Sequence, residues 1–201
     1  MKTINNQIRK SKFSITVLAF AIISMFSIGC TPPPPPPSCN TTNTLFHQIY
    51  NNVVAAPGNV ELNTMDSYVH GYNFTVSTNK IICGVGYQSQ PAVASQLYKI
   101  EIIDNTTSTT LYNFSTTFST TTSYVSVPNI SVIPGHSYTI RRTLMNDIGN
   151  VMNRIGKLVT SSTYTIPFPY TVGDLTITQA NFGTVSVPSN FGLPFIDISF
   201  Q

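Results

Sequence analysis

Apolar residues recur at every second position through most of this chain, and this alternation limits the folds it can adopt. In the segment LYKIEII, Tyr98, Ile100 and Ile102 lie on one side of an extended chain, and Lys99 and Glu101 lie on the other. The same pattern recurs in GYNFTV, KIICGVGY, YVSVP, HSYTIRRTL, DLTITQ and PFIDISF. A period of two predicts strands with one buried face. Many short strands separated by turn residues predict an all-β fold, an antiparallel β-sandwich or jelly roll forming a single domain over residues 44–201.

Three segments complicate the strand pattern. Residues 44–57, TLFHQIYNNVVAAP, fit either a strand or a short helix. Residues 147–158, DIGNVMNRIGKL, have apolar residues at helical spacing, but two glycines weaken a helix there, so we expect a short helix or a long loop. The Thr/Ser-rich tract at 106–124 contains apolar residues, and we interpret it as two strands and a turn rather than as a mucin-like stalk.

The beginning of the chain has a different character. Residues 1–12 carry four basic side chains and no acid, and residues 13–26 form an uncharged apolar run. A membrane-spanning helix needs about 20 apolar residues, so this shorter run instead predicts the apolar region of a secretory signal. The next four residues, Ser27-Ile28-Gly29-Cys30, resemble the lipobox of bacterial lipoproteins, with serine where leucine is usual. The resemblance implies cleavage before Cys30 and lipidation of its thiol.

The same resemblance sets the expected order of segments and the location. Residues 1–29 would be the signal peptide, residues 30–43 a lipidated linker, and residues 44–201 the folded domain. The six prolines Pro32 to Pro37 favour a polyproline II stalk of roughly 19 Å. Thr31, rather than an aspartate, follows the cysteine, which by resemblance to enteric lipoproteins predicts the outer membrane as the partner of the lipid. The alternative is an ordinary cleaved signal with an incidental cysteine.

Removal of the signal changes the charge of the protein. Four of the ten basic residues precede Cys30, so six remain against seven acidic residues, a formal charge of −1. Proteins that bind nucleic acid carry a basic surface, so we expect no nucleic-acid partner. The remaining chain is rich in Thr, Ser, Asn and aromatic residues, a composition that argues against disorder.

The order of several short motifs resembles a second group of proteins. An opening LF is followed by GYNF, GVGY, YKIEIID, PGHSYTI and a closing FIDISF, over residues 44–201. This order is similar to that of uncharacterised β-sandwich modules in bacterial secreted and surface proteins, some of which accompany carbohydrate-active domains. The chain has no tryptophan, which those modules usually contain. The resemblance implies a fold and contact with glycans rather than a reaction.

No residues in the sequence have the spacing of a catalytic or metal site, so we expect neither an enzyme nor a cofactor. The three histidines lie far apart, and we expect His136 in a turn and His70 in a strand, exposed or partly buried. Clustered Cys and His for zinc, and D-x-D-type loops for calcium, are both lacking in the sequence.

The acidic residues also have ordinary structural interpretations. A glycosidase needs two carboxylates at a set separation. Asp104 and Asp174 fit turns, and Glu101 fits the outward face of a strand. Asp197 lies opposite the apolar face of the last strand, where we expect it to be exposed or hydrogen-bonded at an edge.

Two cysteines besides Cys30 leave one question open. An oxidising envelope permits a disulfide between Cys39 and Cys83, which would join the end of the stalk to the domain. Cys83 also belongs to the apolar face of its strand, where a free buried thiol is equally acceptable. The sequence leaves both alternatives standing.

Binding is the function that the residues favour. The segment STYTIPFPYTVGD presents aromatic rings among prolines, and residues 141–157 contain the densest charge after Cys30. We therefore predict a non-catalytic glycan platform made of Tyr164, Phe168, Tyr170, Arg141, Arg142, Asn146 and Asp147. One alternative is that these aromatic residues close one end of the core. The alternative function is a structural or protein-interaction lipoprotein that assembles with envelope proteins and has no small-molecule site.

Overall fold

The structure, a computed structural model, describes residues 38–63, 69–89, 95–145, 157–163, 165–183 and 190–201. These residues form one helix followed by strands. The helix is α1 (Leu45–Ala55). The strands are β1 (Asn59–Leu62), β2 (Val69–Val76), β3 (Lys80–Tyr87), β4 (Tyr98–Asp104), β5 (Thr109–Thr116), β6 (Ser123–Val132), β7 (Tyr138–Leu144), β8 (Leu158–Ser161), β9 (Tyr170–Val172), β10 (Leu175–Phe182), β11 (Gly192–Pro194) and β12 (Ile196–Phe200).

The strands form three antiparallel sheets. A six-stranded sheet has the order β5-β4-β7-β2-β10-β9, and two three-stranded sheets have the orders β12-β3-β6 and β1-β8-β11. The first two face each other across one core. The rings of Tyr87 in β3 and Tyr98 in β4 are 5.2 Å apart, and the hydroxyl of Tyr72 in β2 donates to the carbonyl of Ile196 in β12 at 2.6 Å. The predicted all-β, antiparallel sandwich-like domain is confirmed.

The alternation in the sequence corresponds to the two faces of the strands. Tyr98, Ile100 and Ile102 are fully buried in the core, as the pattern predicts. Glu101 points to the other face of the sheet, as predicted, but it is only 7% exposed there. Lys99 and a neighbouring arginine form ion pairs with its carboxylate and cover it.

Residues 44–57 are helical rather than extended. Thr44 caps α1 by accepting a hydrogen bond from the amide of His47 at 3.0 Å, which satisfies one of the amides left free at a helix start. Phe46, Ile49, Tyr50 and Val53 follow helical spacing and are buried. The helix ends at Ala55, just before Pro57 and Gly58, where the backbone enters the left-handed region at φ 81°. Within the described residues, no helix is long and apolar enough to cross a membrane.

The segment before the helix lies on the outer face of the sheet β12-β3-β6. Cys39 and Cys83 form a disulfide, so of the two alternatives for Cys83 the structure contains the bonded one. Gly84 allows this approach, because a Cβ added there would lie 3.2 Å from the sulfur of Cys39. The hydroxyl of Thr44 donates to Asp197 on the same face of the sheet. The chain therefore joins the sandwich on the side of this sheet that faces away from the core.

Two further segment predictions have different outcomes. The Thr/Ser-rich tract contains β5 and the start of β6, as predicted. Of the segment 147–158, for which we expect a helix or a loop, residues 147–156 lie outside the described residues, and Leu158 begins β8.

Candidate functional site

A cleft of about 600 Å³ lies on the face of the six-stranded sheet that points away from the core. Four adjacent strands, β4, β7, β2 and β10, supply most of its lining, and residues just after β4 and β10 supply the rest. The residues that line it are Val69, Gly71, Asn73, Glu101, Ile103, Asn105, Ser108, Thr139, Arg141, Thr143, Gln179, Asn181 and Gly183. Most of them carry an amide, a hydroxyl or a charge, so this is a polar surface built on a regular sheet.

The strand register arranges these side chains in rows across the sheet. In the first row Gln179 pairs with Asn73, and Asn73 pairs with Thr139. The second row runs Asn181, Gly71, Arg141, Glu101. A third row contains Val69, Thr143 and Lys99. Four strands at the usual spacing make the cleft roughly 14 Å wide.

Gly71 forms the floor of the cleft at the centre of the second row. A Cβ added to it would lie 2.7 Å from the carbonyl oxygen of Ile140 and 2.9 Å from the Cβ of Arg141. Both neighbours belong to the paired strand β7, so neither can move away without disturbing the sheet. The lack of a side chain at this position lets the arginine stand beside an open floor.

The charge in and beside the cleft belongs to one group of three side chains, of which Glu101 and Arg141 line the cleft and Lys99 lies next to it. Glu101 Oε2 accepts from Arg141 Nε at 2.7 Å, and its Oε1 lies 2.8 Å from Lys99 Nζ. Burial tends to raise the pKa of Glu101, but the hydrogen bonds and charges of Arg141 and Lys99 outweigh it, and the pKa is lowered overall. The carboxylate is therefore ionised at neutral pH, with both oxygens already engaged.

Amides and hydroxyls form a second network beside the charges. The hydroxyl of Thr139 lies 2.8 Å from Asn73 Oδ1 and 3.0 Å from Asn105 Oδ1, and Asn181 Nδ2 donates to Asn73 Oδ1 at 2.9 Å. These bonds hold the side chains in place. Among the described residues, no side-chain hydrogen bond engages Thr143 or Gln179. Those two groups remain able to bind a ligand.

The two arginines of the predicted platform lie on opposite faces of β7. Arg141 lines the cleft, and its side chain is 38% exposed. Arg142 is completely buried in the core, with its guanidinium carbon 5.7 Å from the ring centres of both Tyr87 and Tyr98. From that position Arg142 does not reach a ligand at the surface, because successive side chains of a strand point to opposite sides.

The aromatic part of the predicted platform does not join Arg141. Phe168 and Tyr170 are half-buried, with their rings edge to face at 5.8 Å, and both pack against the core. Burial raises the pKa of Tyr170. Tyr170 begins β9, three strands from β7 in the sheet, a distance of roughly 14 Å. Tyr164, Asn146 and Asp147, like Cys30, lie outside the described residues.

Asp197 lies on the edge strand β12 and is hydrogen-bonded there, which is the second of the two predicted alternatives. It is fully buried rather than exposed, and it accepts hydrogen bonds from the hydroxyls of Thr44 and Tyr124. Burial raises its pKa, and these donors together with nearby His47 oppose the shift without cancelling it. The residue connects the start of α1 to the sheet β12-β3-β6, which is a structural role.

The remaining titratable groups outside the cleft form local pairs or stand alone. Asp104 ends β4, accepts from the amides of Thr106 and Thr107, and binds His136 Nδ1 at 2.8 Å, as expected for turn residues. His70 is fully buried, deeper than the sequence predicts. Within the described parts of the chain, no group of three or more His, Cys, Asp or Glu residues could hold a metal ion.

Most residues of the cleft were not predicted from the sequence. The strands of the cleft were predicted from their inward, apolar residues. The cleft is lined by residues at the outward positions, among them Asn73, Thr139, Gln179 and Asn181. The signal that could have found them is the succession of amides and hydroxyls at these positions, instead of the charged residues usual on an exposed sheet face. No family model matches the chain, and a search of curated proteins finds no match.

Proposed function

We propose that this chain is a cell-envelope lipoprotein whose β-sandwich binds a carbohydrate in the cleft of the six-stranded sheet, without reacting with it. The observation that carries the proposal is the lining of the cleft, where amides, hydroxyls and one arginine from four adjacent strands face a common space. Sugars present many hydroxyl groups, each able to donate and to accept, and such a lining complements them.

The rigidity of the lining supports binding. Asn73, Thr139 and Asn181 are held by hydrogen bonds to one another, and their backbones are held by the sheet. A ligand therefore has to order only a few side chains, chiefly Thr143 and Gln179, which lowers the entropy cost of association. Without aromatic rings in its described lining, the cleft would bind through hydrogen bonds rather than through stacking.

The carboxylate chemistry favours binding over hydrolysis. Glycosidases use two carboxyl groups on either side of the bond they cut. Glu101 is the one carboxylate among the described residues that line the cleft, and Arg141 and Lys99 occupy its two oxygens. A carboxylate held in this way, with a lowered pKa, is a poor proton donor at neutral pH.

The envelope part of the proposal rests on the start of the chain. The basic and apolar segments, the lipobox-like residues ending in Cys30 and the six prolines support a lipid anchor with a stalk. Residues 38–44 cross the outer face of the sheet β12-β3-β6, on the opposite side of the sandwich from the cleft.

A glycan array probed with the full chain in detergent tests the binding proposal. We expect at least one class of oligosaccharide to bind, with binding weakened about two- to tenfold by Thr143→Ala or Gln179→Ala, since each removes a neutral hydrogen-bonding group. Gln48→Ala, on α1 and outside the cleft, is the matched control for glutamine and should bind like the parent. Binding that is unaffected by either cleft variant would contradict the assignment of the site.

The alternative function has one observation in its favour. β5 is an outer strand of the six-stranded sheet and pairs only with β4 among the described strands, and its sequence, TTLYNFST, contains neither charge nor proline. Natural proteins usually protect such edges, so this one is available for strand pairing with another protein. An array without any glycan signal, together with cross-linking of an envelope protein to β5, would favour the interaction protein.

A further inference from the structure

We infer that the carbohydrate held in the cleft is acidic, and that a carboxylate on one of its sugars binds Arg141. This inference rests on the proposed function and narrows it to a class of ligand. The inference is drawn from the charges and hydrogen bonds around Glu101, where two cations contact one carboxylate. Binding of a neutral sugar would not require these charges.

The charges on this face of the sheet do not cancel. On the outward positions of β4, β7, β2 and β10, the charged side chains within the described residues are Lys99, Glu101 and Arg141. Two cations and one ionised carboxylate leave one net positive charge on this face of the sheet, with Lys99 beside the cleft and Arg141 and Glu101 in its lining. The rest of the mature chain has the opposite sign, because it has more acidic than basic residues overall. The cleft thus lies on a locally positive sheet face of a weakly acidic protein.

The hydrogen bonds show which atom group is left to bind a ligand. Glu101 uses Oε2 for Arg141 Nε and Oε1 for Lys99. Arg141 is bonded through Nε alone among the described residues, so its two terminal nitrogens, Nη1 and Nη2, remain for another acceptor. The pair of parallel N–H groups that they present matches the two oxygens of a carboxylate. Glu101 therefore orients the guanidinium and leaves its outer edge unoccupied.

The neighbours of Arg141 leave room for a sugar ring next to such a carboxylate. Gly71 lies beside it in the same row and contributes no side chain. Thr143 stands two residues further along β7 on the same face, and its hydroxyl can bond to a ring hydroxyl. Gln179 provides an amide from the first row, two strands away. The cleft thus combines one ionic contact with neutral donors and acceptors on two sides.

The test is a binding titration with paired ligands. The probes are oligosaccharides of uronic acids and the same oligosaccharides after reduction of their carboxyl groups, so that each pair differs in charge and little else. We expect the full chain in detergent to bind the acidic member about tenfold more tightly or better, because charge-assisted hydrogen bonds are the stronger ones. Added salt should weaken binding of the acidic member and leave the reduced member nearly unchanged.

Variants assign the preference to one residue. Arg141→Gln should reduce binding of the acidic member to the level of the reduced one, and Arg141→Lys should keep only part of the preference, because lysine lacks the fork of two N–H groups. Lys80→Gln removes a cation on the opposite sheet, paired with Asp174 at 2.7 Å, and is the matched control that should keep the preference. Thermal melting of each variant separates loss of the contact from loss of the fold.

The outcomes separate this inference from the proposed function. Equal affinity for both members of every pair, or binding restricted to neutral glycans, would overturn the acidic ligand and leave carbohydrate binding intact. An affinity of the parent protein for the acidic member that does not change with salt would also overturn the acidic ligand and leave carbohydrate binding intact. Absence of binding to all carbohydrates would overturn both.

Discussion

At the scale of single residues, β7 shows how this fold uses polar groups on both faces of one strand. Arg141 stands in the cleft with a carboxylate partner, whereas the adjacent Arg142 lies in the core beside the rings of Tyr87 and Tyr98. Burial of a charge is costly unless it is compensated, so cores seldom contain arginine. The aromatic faces supply part of that compensation through cation–π contact. Adjacent residues of the same type thus have unrelated roles.

His70 is the residue for which we predict the clearest effect on stability. It is fully buried, it pairs in register with Arg142, and its two ring nitrogens have no hydrogen-bond partner among the described residues. Burial and then the charge of Arg142 hold its pKa well below the ordinary 6.5. The folded protein therefore keeps this imidazole neutral while the unfolded chain takes up a proton, so stability should fall as the pH drops below about 6.5.

Replacement of His70 by leucine tests this account. His70→Leu removes unpaired polar atoms from the core and should stabilise the protein by about 1–3 kcal/mol, while flattening the loss of stability between neutral pH and pH 5. Urea unfolding of parent and variant at both pH values measures the two effects. A variant that is less stable than the parent, with the same dependence on pH, would show that His70 has a partner that stabilises it.

The sequence was least informative about which individual polar residues are buried. The pattern correctly placed Tyr98 and Ile100 in the core, because the two faces of a strand follow from local alternation. It did not predict that Glu101 and Asp197 would be buried, because the partners that cover them come from other strands or from the helix. Such contacts depend on the order of strands in the sheet, which local pattern does not contain.

At the scale of elements, the disulfide joins the segment before α1 to the sheet β12-β3-β6. Cys39 and Cys83 are 44 residues apart, and a bridge across a loop of this length stabilises a protein by roughly 4 kcal/mol through loss of unfolded-chain entropy. We predict that a reductant lowers the urea midpoint of the parent protein substantially. The Cys39→Ser/Cys83→Ser variant should be less stable and insensitive to the reductant. An unchanged midpoint of the parent after complete reduction would contradict the prediction.

The last strand is the second element whose removal should be informative. In β12, Ile196 and Ile198 are fully buried, and the strand pairs with β3 along its length. Deletion of the last seven residues, 195–201, should unfold the domain, because it exposes these side chains and also removes Asp197 from the start of α1. Near-ultraviolet circular dichroism measures the loss of packing. Deletion of Gln201 alone is the control, and a seven-residue deletion that melts like the parent would refute the pairing.

The sequence predicted the strands better than it predicted their order in the sheets. The alternating segments correspond to strands, and the open question about residues 44–57 is answered by α1, whose buried side follows helical spacing. The cleft could not be predicted in the same way. Its rows combine Asn73, Thr139 and Gln179, which come from strands that are distant in sequence and adjacent only in the sheet order β7-β2-β10.

At the scale of the whole molecule, the proposal combines a lipid anchor at Cys30 with a folded domain that carries the ligand site. We predict that Cys30 is lipidated, and that palmitate labelling in cells is lost in Cys30→Ala. The disulfide partner variant Cys39→Ser should still be labelled, because Cys39 follows the prolines and is bonded to Cys83. Equal labelling of the parent and Cys30→Ala would contradict lipidation at this position.

The most direct test of the account is to locate the bound carbohydrate on the protein by nuclear magnetic resonance. The full chain in detergent is titrated with a carbohydrate that it binds, and changes in backbone amide shifts are followed. We predict that the largest changes cluster on the outward rows of β2, β7 and β10, around Gly71, Arg141 and Gln179. Changes centred instead on Phe168 and Tyr170, with the cleft unaffected, would contradict the account and restore the aromatic platform.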